Sequence, residues 1–209
     1  LDALAREFVA HRYDIRHLER TILGSHTYQL SSSTNETNRL DRRNYSHGYV
    51  RPLMAEVVVD VLNDALGVTE SWKNDAPAGA RAIEIGASRV ANPTAAYCFR
   101  LFGRSTRTQA CDCERSPEPA LPQRLFLMTD PTILAKFADP KGRLRRMLDG
   151  KTADGEALEE LFLATLSRMP TENERTLFAN YRTRGKDRKA VLTDTLWALI
   201  NTREFILNH

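Results

Sequence analysis

Cys111-Asp112-Cys113, followed directly by Glu114-Arg115, packs the most reactive chemistry of this chain into the fewest residues. Two thiols two positions apart can ligate a soft metal, exchange disulfides or pair with other cysteines. A bridge closed inside so tight a loop would be strained and easily reduced. The structural alternative is a wider pairing, Cys98 with Cys111 or Cys113. Three cysteines is an odd number, so at least one is free, metal-bound or paired outside this chain. Glu114 and Arg115 can form a bidentate pair or orient an anion, or they can hold the loop by capping carbonyls. Arg104 has the same two readings, and Gly103 before it permits a turn or a close backbone approach.

Other candidates are sparser. Glu56 and Asp60 are four apart on a helical pattern and share a face. Paired carboxylates can do acid–base work or bind a cation, or they form a solvated face or salt bridges to Arg51 and its neighbours. Arg51 and Glu56 are expected to tie the polar connection before them to that helix. His26 and Tyr28 stand together in a short polar stretch and can join a site. The five histidines, His11, His17, His26, His47 and His209, show no close metal spacing among themselves, so no metal site is expected. No nucleophile elbow, phosphate loop, His-Glu-x-x-His or haem-attachment motif occurs.

The elements that must hold these residues are mostly helical. At 209 residues the chain is long enough to bury a core, and 42% hydrophobic with 27% charged residues is the balance of a folded chain. Thirty basic against 27 acidic residues is too small an excess for a nucleic-acid face. No apolar run approaches the ~20 residues of a membrane span. Leu4, Ala5 and Phe8 share a face in a first helix. Asp14 caps a second, with Ile15, Leu18, Ile22 and Leu23 facing inward. Residues 34–49 read as an irregular connection, long enough to be functional or packed by its own side chains. Pro52 opens a helix to Leu66, with Leu53, Val57, Val61 and Leu62 inward and Gly67 as its stop.

Residues 68–97 lose helical periodicity, and Arg81–Ile85 alternates like a short strand. Short helical stretches follow over 121–128, 131–138 and 141–149. Leu158, Leu161, Phe162 and Leu166 mark a helix over 156–168. Thr171 and Glu174 form a capping box, and Asp187 opens a last helix burying Val191, Thr195, Leu196, Leu199 and Ile200. The expected fold is therefore mostly α: one multi-helix domain over 1–209, with long irregular connections and room for one short β-hairpin. Within it, 98–120 is a cysteine-containing loop and 131–209 a helical C-terminal part.

Several segments together carry a resemblance: Phe8 to Leu18, Ser25 to Ser31, Arg51 to Glu56, Phe102-Gly103-Arg104, Cys111 to Ser116, and Leu199 to His209. In that order they resemble the domain of unknown function 1553, found at the C-terminal end of large planctomycete-type exported proteins that often carry a cytochrome-c-like domain. Where family members usually have an asparagine after the apolar helix, this chain reads Met128-Thr129-Asp130. The resemblance implies a fragment of a longer chain, a periplasmic or cell-surface location where a disulfide survives, and no cofactor in this chain, any haem belonging to the preceding part. Its expected partners are the other domains of the parent chain. The function it implies is an interaction or scaffold module of a redox-associated protein. The alternative is an enzyme domain for an extracellular, carbohydrate-like substrate, with its site at the Cys-x-Cys-Glu-Arg loop.

Overall fold

Asp2–Ala10 forms helix α1 and Ile15–Leu23 forms α2. The chain reverses between them at Arg12 and Tyr13, both in the left-handed region with φ of 54° and 63°. That conformation is costly for residues with a Cβ. It is held by the Tyr13 N–H donating to Phe8 O (2.9 Å) and by the edge-to-face contact of the two rings at 5.5 Å. Asp14 caps α2 as expected, accepting from the His17 N–H at 3.1 Å. The computed structural model describes residues 1–73, 75–77, 79–85, 90–104, 121–184 and 187–208.

The chain divides into two compact units, Leu1–Arg51 with the segment from Leu207, and Pro52–Ile206. In the first unit the apolar face of α2 is open, contrary to expectation: Ile15 is 62% and Leu23 50% exposed. None of the described residues of this unit is buried. Its irregular stretch is packed by its own polar side chains. Asn35 Oδ1 accepts from the Thr37 and Asn38 N–H groups (2.9 and 3.2 Å). Asp41 accepts from the backbone of Arg43, Asn44 and Ser46 and from the Ser46 hydroxyl (2.6 to 2.9 Å), which holds its carboxyl well below the usual range. These are Asx-type turns, in which a short side chain replaces backbone partners.

The second unit is built on α3 (Ala55–Leu66). Nine of its twelve residues are buried, so it is wrapped nearly all round rather than on the one expected face. Val58, Val59, Leu62, Ala65 and Leu66 lie deepest, and Leu53, Val57 and Val61 are only half-buried. The helix stops at Gly67, where φ is 68° and a Cβ would lie 2.9 Å from Arg143 N. Glycine answers both demands. Around it come a 3-10 turn (Ala82–Glu84), α4 (Pro93–Leu101), α5 (Leu121–Thr129), α6 (Pro131–Lys136), α7 (Arg143–Asp149), α8 (Asp154–Leu166), α9 (Glu172–Thr183), α10 (Arg188–Ile200) and a second 3-10 turn (Glu204–Ile206).

α3 packs on α4, α7, α8 and the first 3-10 turn; α8 packs on α9 and α10. Trp72, Leu161, Leu196 and Ile200 are among the fully enclosed side chains of this core. The strand expected over 81–85 is the first 3-10 turn, and α4 occupies part of the stretch read as irregular. Asn92 caps α4 by accepting from the Ala95 N–H (3.0 Å), with Pro93 in its first turn. The fold is mostly helical, as expected. Its small antiparallel sheet joins β1 (Arg51–Pro52) to β2 (Leu207–Asn208), two distant segments rather than a hairpin. Among the described residues no helix is long and apolar enough to cross a membrane.

Candidate functional site

Glu56, Asp60 and Asn63 stand four and three residues apart, so they form a polar seam on α3. The expectation of a shared face holds; the expectation of a solvated one does not, because Glu56 is 0% exposed and Asp60 and Asn63 are buried beside it. A buried polar group must be hydrogen-bonded or paired, and each of the three has such a partner. Nε of Arg104 lies 3.0 Å from Glu56 Oε1, with the arginine side chain 4% exposed. Asp60 accepts from the N–H groups of Ala82 (2.6 Å) and Ile83 (3.1 Å), which bends that segment into its 3-10 turn. Asn63 Oδ1 accepts from Lys136 Nζ at 2.8 Å, and the same ammonium pairs with Glu70.

Arg104 reaches its place through the end of α4. Gly103, at φ 73°, lets the Arg104 N–H donate to Phe99 O (2.8 Å) while its own N–H donates to Arg100 O (3.3 Å). This is the double bond of a Schellman close. It swings the guanidinium over the Phe99 ring (4.3 Å) and lets Nη2 donate to Ile85 O (2.5 Å). The seam thus fastens α3 to the end of α4, to the 3-10 turn and to α6.

The other expected site residues divide. Cys111, Cys113, Glu114 and Arg115 lie outside the described residues. Cys98 sits on the core side of α4, 2% exposed, as a free thiol; the partners of its expected disulfide, Cys111 and Cys113, lie outside the described residues. Burial pushes its pKa up and keeps it protonated. His26 and Tyr28 are exposed, and so is Arg51, in β1. Arg51 was expected to pair with Glu56, whose ion pair is with Arg104. A groove of ≈ 460 Å³ lined by Arg143, Glu156, Glu159, Glu160, Leu163 and Ala164 is open to solvent, and its Arg143 pairs with Glu160 at 2.7 Å.

A second cluster escapes the sequence reading. Glu7 and His11 share the last turn of α1, and His17 enters from the first turn of α2. Glu7 Oε1 lies 3.1 Å from His17 Nε2 and 3.3 Å from His11 Nδ1. The two imidazoles stack at 3.6 Å with 13° between planes. Thr21 Oγ1 stands 3.4 Å from His17 Nε2 and donates to His17 O at 2.9 Å. The signal in the sequence is a carboxylate four residues before a histidine, visible only when acids are counted with histidines and the turn after α1 is known.

Two further motifs turn out to be structural. Glu204, in the closing Glu-Phe pair, accepts from Arg168 Nε and Nη2 (2.7 and 2.9 Å). The same guanidinium donates to both oxygens of Glu174 (2.9 Å each), the acid of the expected capping box. Four charge-assisted bonds on one arginine raise its pKa and hold the Glu174 carboxyl down at about 2.

Residues 1–182 match the family model described as PSD1, protein of unknown function (DUF1553), and the chain belongs to that family. Comparison with curated proteins and with solved structures gave no match.

Proposed function

We propose that this domain is a non-catalytic interaction module of a larger exported, redox-associated protein, docking on the other domains of its parent chain. One observation carries the reading. The first unit has no buried residue among those described, yet it exposes Val9, Tyr13, Ile15, Leu23, Tyr28 and Leu40. Ile15, Ile22 and Leu23 are exposed on α2 alone, and an apolar helix face left uncovered is the kind of surface an interaction site uses. The parent chain, its periplasmic or cell-surface location and any haem in its preceding part rest on the family resemblance. Of the polar residues on and beside α3, Glu56 pairs with Arg104, Arg104 donates to Ile85 O, and Asp60 accepts from the Ala82 N–H. The enzyme alternative rests on Cys111 to Arg115, outside the described residues.

The test replaces Ile15 and Ile22 with aspartate. Both are exposed, at 62% and 38%, so the substitutions remove no core. Binding of the variant to the remainder of the parent, supplied as a separate polypeptide, is expected to fall at least about tenfold, the effect of losing ~1.4 kcal/mol. Unfolding of the second unit stays unchanged. Equal binding by variant and wild type, or no association of the wild type, overturns the reading.

A further inference from the structure

We propose that Glu7, His11 and His17 hold one divalent transition-metal ion, which staples α1 to α2. One ligand atom from each residue lies within 4.8 Å of the other two. Two ring nitrogens already converge on a single carboxylate oxygen, at 3.1 and 3.3 Å. The two rings stack at 3.6 Å with 13° between planes, so they turn about their side-chain torsions to aim both in-plane lone pairs at one ion, which displaces the bridging protons.

The donor set decides the class of ion. Two imidazoles and a carboxylate suit zinc and its first-row neighbours, whereas calcium and magnesium need oxygen ligands throughout. Three protein ligands leave one position for water. The side chains are 32% to 44% exposed, so an ion enters without opening the fold. His11 Nδ1 donates to Glu7 O at 2.9 Å in the metal-free chain; an ion bound at that nitrogen displaces the proton, because a ligating imidazole nitrogen is deprotonated.

The turn supplies an independent reason for a staple. Arg12 and Tyr13 both hold positive φ with no glycine to ease it, and the unit they belong to has no buried residue among those described. Small units that cannot gather a core are stabilised by a disulfide, a metal or a partner. His11 stands on one side of that turn and His17 on the other, so an ion bound to both closes it.

The experiment titrates zinc into chelator-treated protein carrying Cys111→Ser and Cys113→Ser, so that those thiols contribute nothing, and follows heat and X-ray absorption at the metal edge. One zinc per chain, in a nitrogen and oxygen shell without sulfur, is the expected result. Glu7→Gln and His17→Gln, made separately, each weaken binding at least about tenfold. Hydrogen exchange over residues 7–17 slows when zinc is added. No binding, a sulfur-containing shell, or binding that survives both substitutions overturns the proposal. Should one variant fail to fold, by circular dichroism, the other variant and the wild-type absorption spectrum still decide.

Discussion

Removing Arg104 from beneath the second unit's core is the sharpest perturbation available. Arg104→Ala leaves the Glu56 carboxylate, 0% exposed, without the guanidinium 3.0 Å away. It also deletes the donor to Ile85 O and the cation over Phe99. Breaking one side of a buried pair costs about 3–5 kcal/mol, because the remaining charge is stranded in a medium that solvates it poorly. For a unit of this size each kcal/mol moves the melting point by about 2–4 °C, so the expected fall is roughly 6–20 °C. The double variant Glu56→Gln/Arg104→Met removes both charges and keeps the volume; it is expected to recover most of the loss. Thermal unfolding followed by circular dichroism measures all of these in one buffer. If Arg104→Ala melts within about 1 °C of the parent, or if the double variant loses the sum of the two single losses, the buried-pair argument is wrong.

Acid should dissolve the Arg168–Glu174 clamp in a defined window. The Glu174 carboxyl is depressed from 4.5 to about 2, so its contribution is complete above pH ~4.5 and is lost as the pH falls through about 2. The unscreened difference is about 3 kcal/mol, and roughly 1–2 remains after solvent screening of a partly exposed group. The melting-point gap between the wild type and Glu174→Gln should therefore be widest above pH 5 and close towards pH 2; a gap constant across that range refutes the assignment. Cys98, buried and held protonated, should resist alkylation in the native protein and react once denatured without reductant. A Cys98 that reacts only after reduction would reveal a disulfide.

Helices whose start, face and stop agree were legible residue by residue. α9 follows from the capping box of Thr171 and Glu174, and α10 from its apolar spacing, with Asp187 at its N-cap position making no side-chain cap bond, because capping and periodicity are local. α4 was hidden by Pro93, a breaker in most contexts but a favourable first-turn residue when an asparagine precedes it. The 3-10 turn at 82–84 was beyond any local pattern, since the carboxylate that gathers its amides belongs to Asp60 on α3. The face shared by Glu56 and Asp60 was legible, and its burial was not. A charged pair on a helix reads as solvated until its partners arrive from distant segments. The same limit hid the Glu7–His11–His17 cluster, which exists only because two non-glycine residues reverse the chain.

The amphipathic pattern of α2 teaches the opposite lesson. Its apolar spacing is as clear as that of α10, yet α10 buries Val191, Leu192, Leu196, Leu199 and Ile200 while α2 buries nothing. Periodicity states that a face needs covering; it does not supply the cover. Each fully buried aliphatic side chain of α10 contributes about 1.5–3 kcal/mol relative to exposure. The first unit forgoes that term throughout and relies on hydrogen bonds of Asn35 and Asp41 to nearby backbone, worth about 1 kcal/mol each. The same binding free energy is a larger fraction of the stability of a unit so assembled than of one with a core, because a ligand of the folded form adds an increment independent of intrinsic stability. The partner surface and the metal staple address this deficit at different places. In the proposed docking the partner covers Ile15 and Ile22 on α2, and in the proposed staple the ion joins His11 to His17 across the turn. Aspartate at the first pair leaves zinc binding intact, and glutamine at Glu7 leaves the apolar face intact, so each can fail without the other.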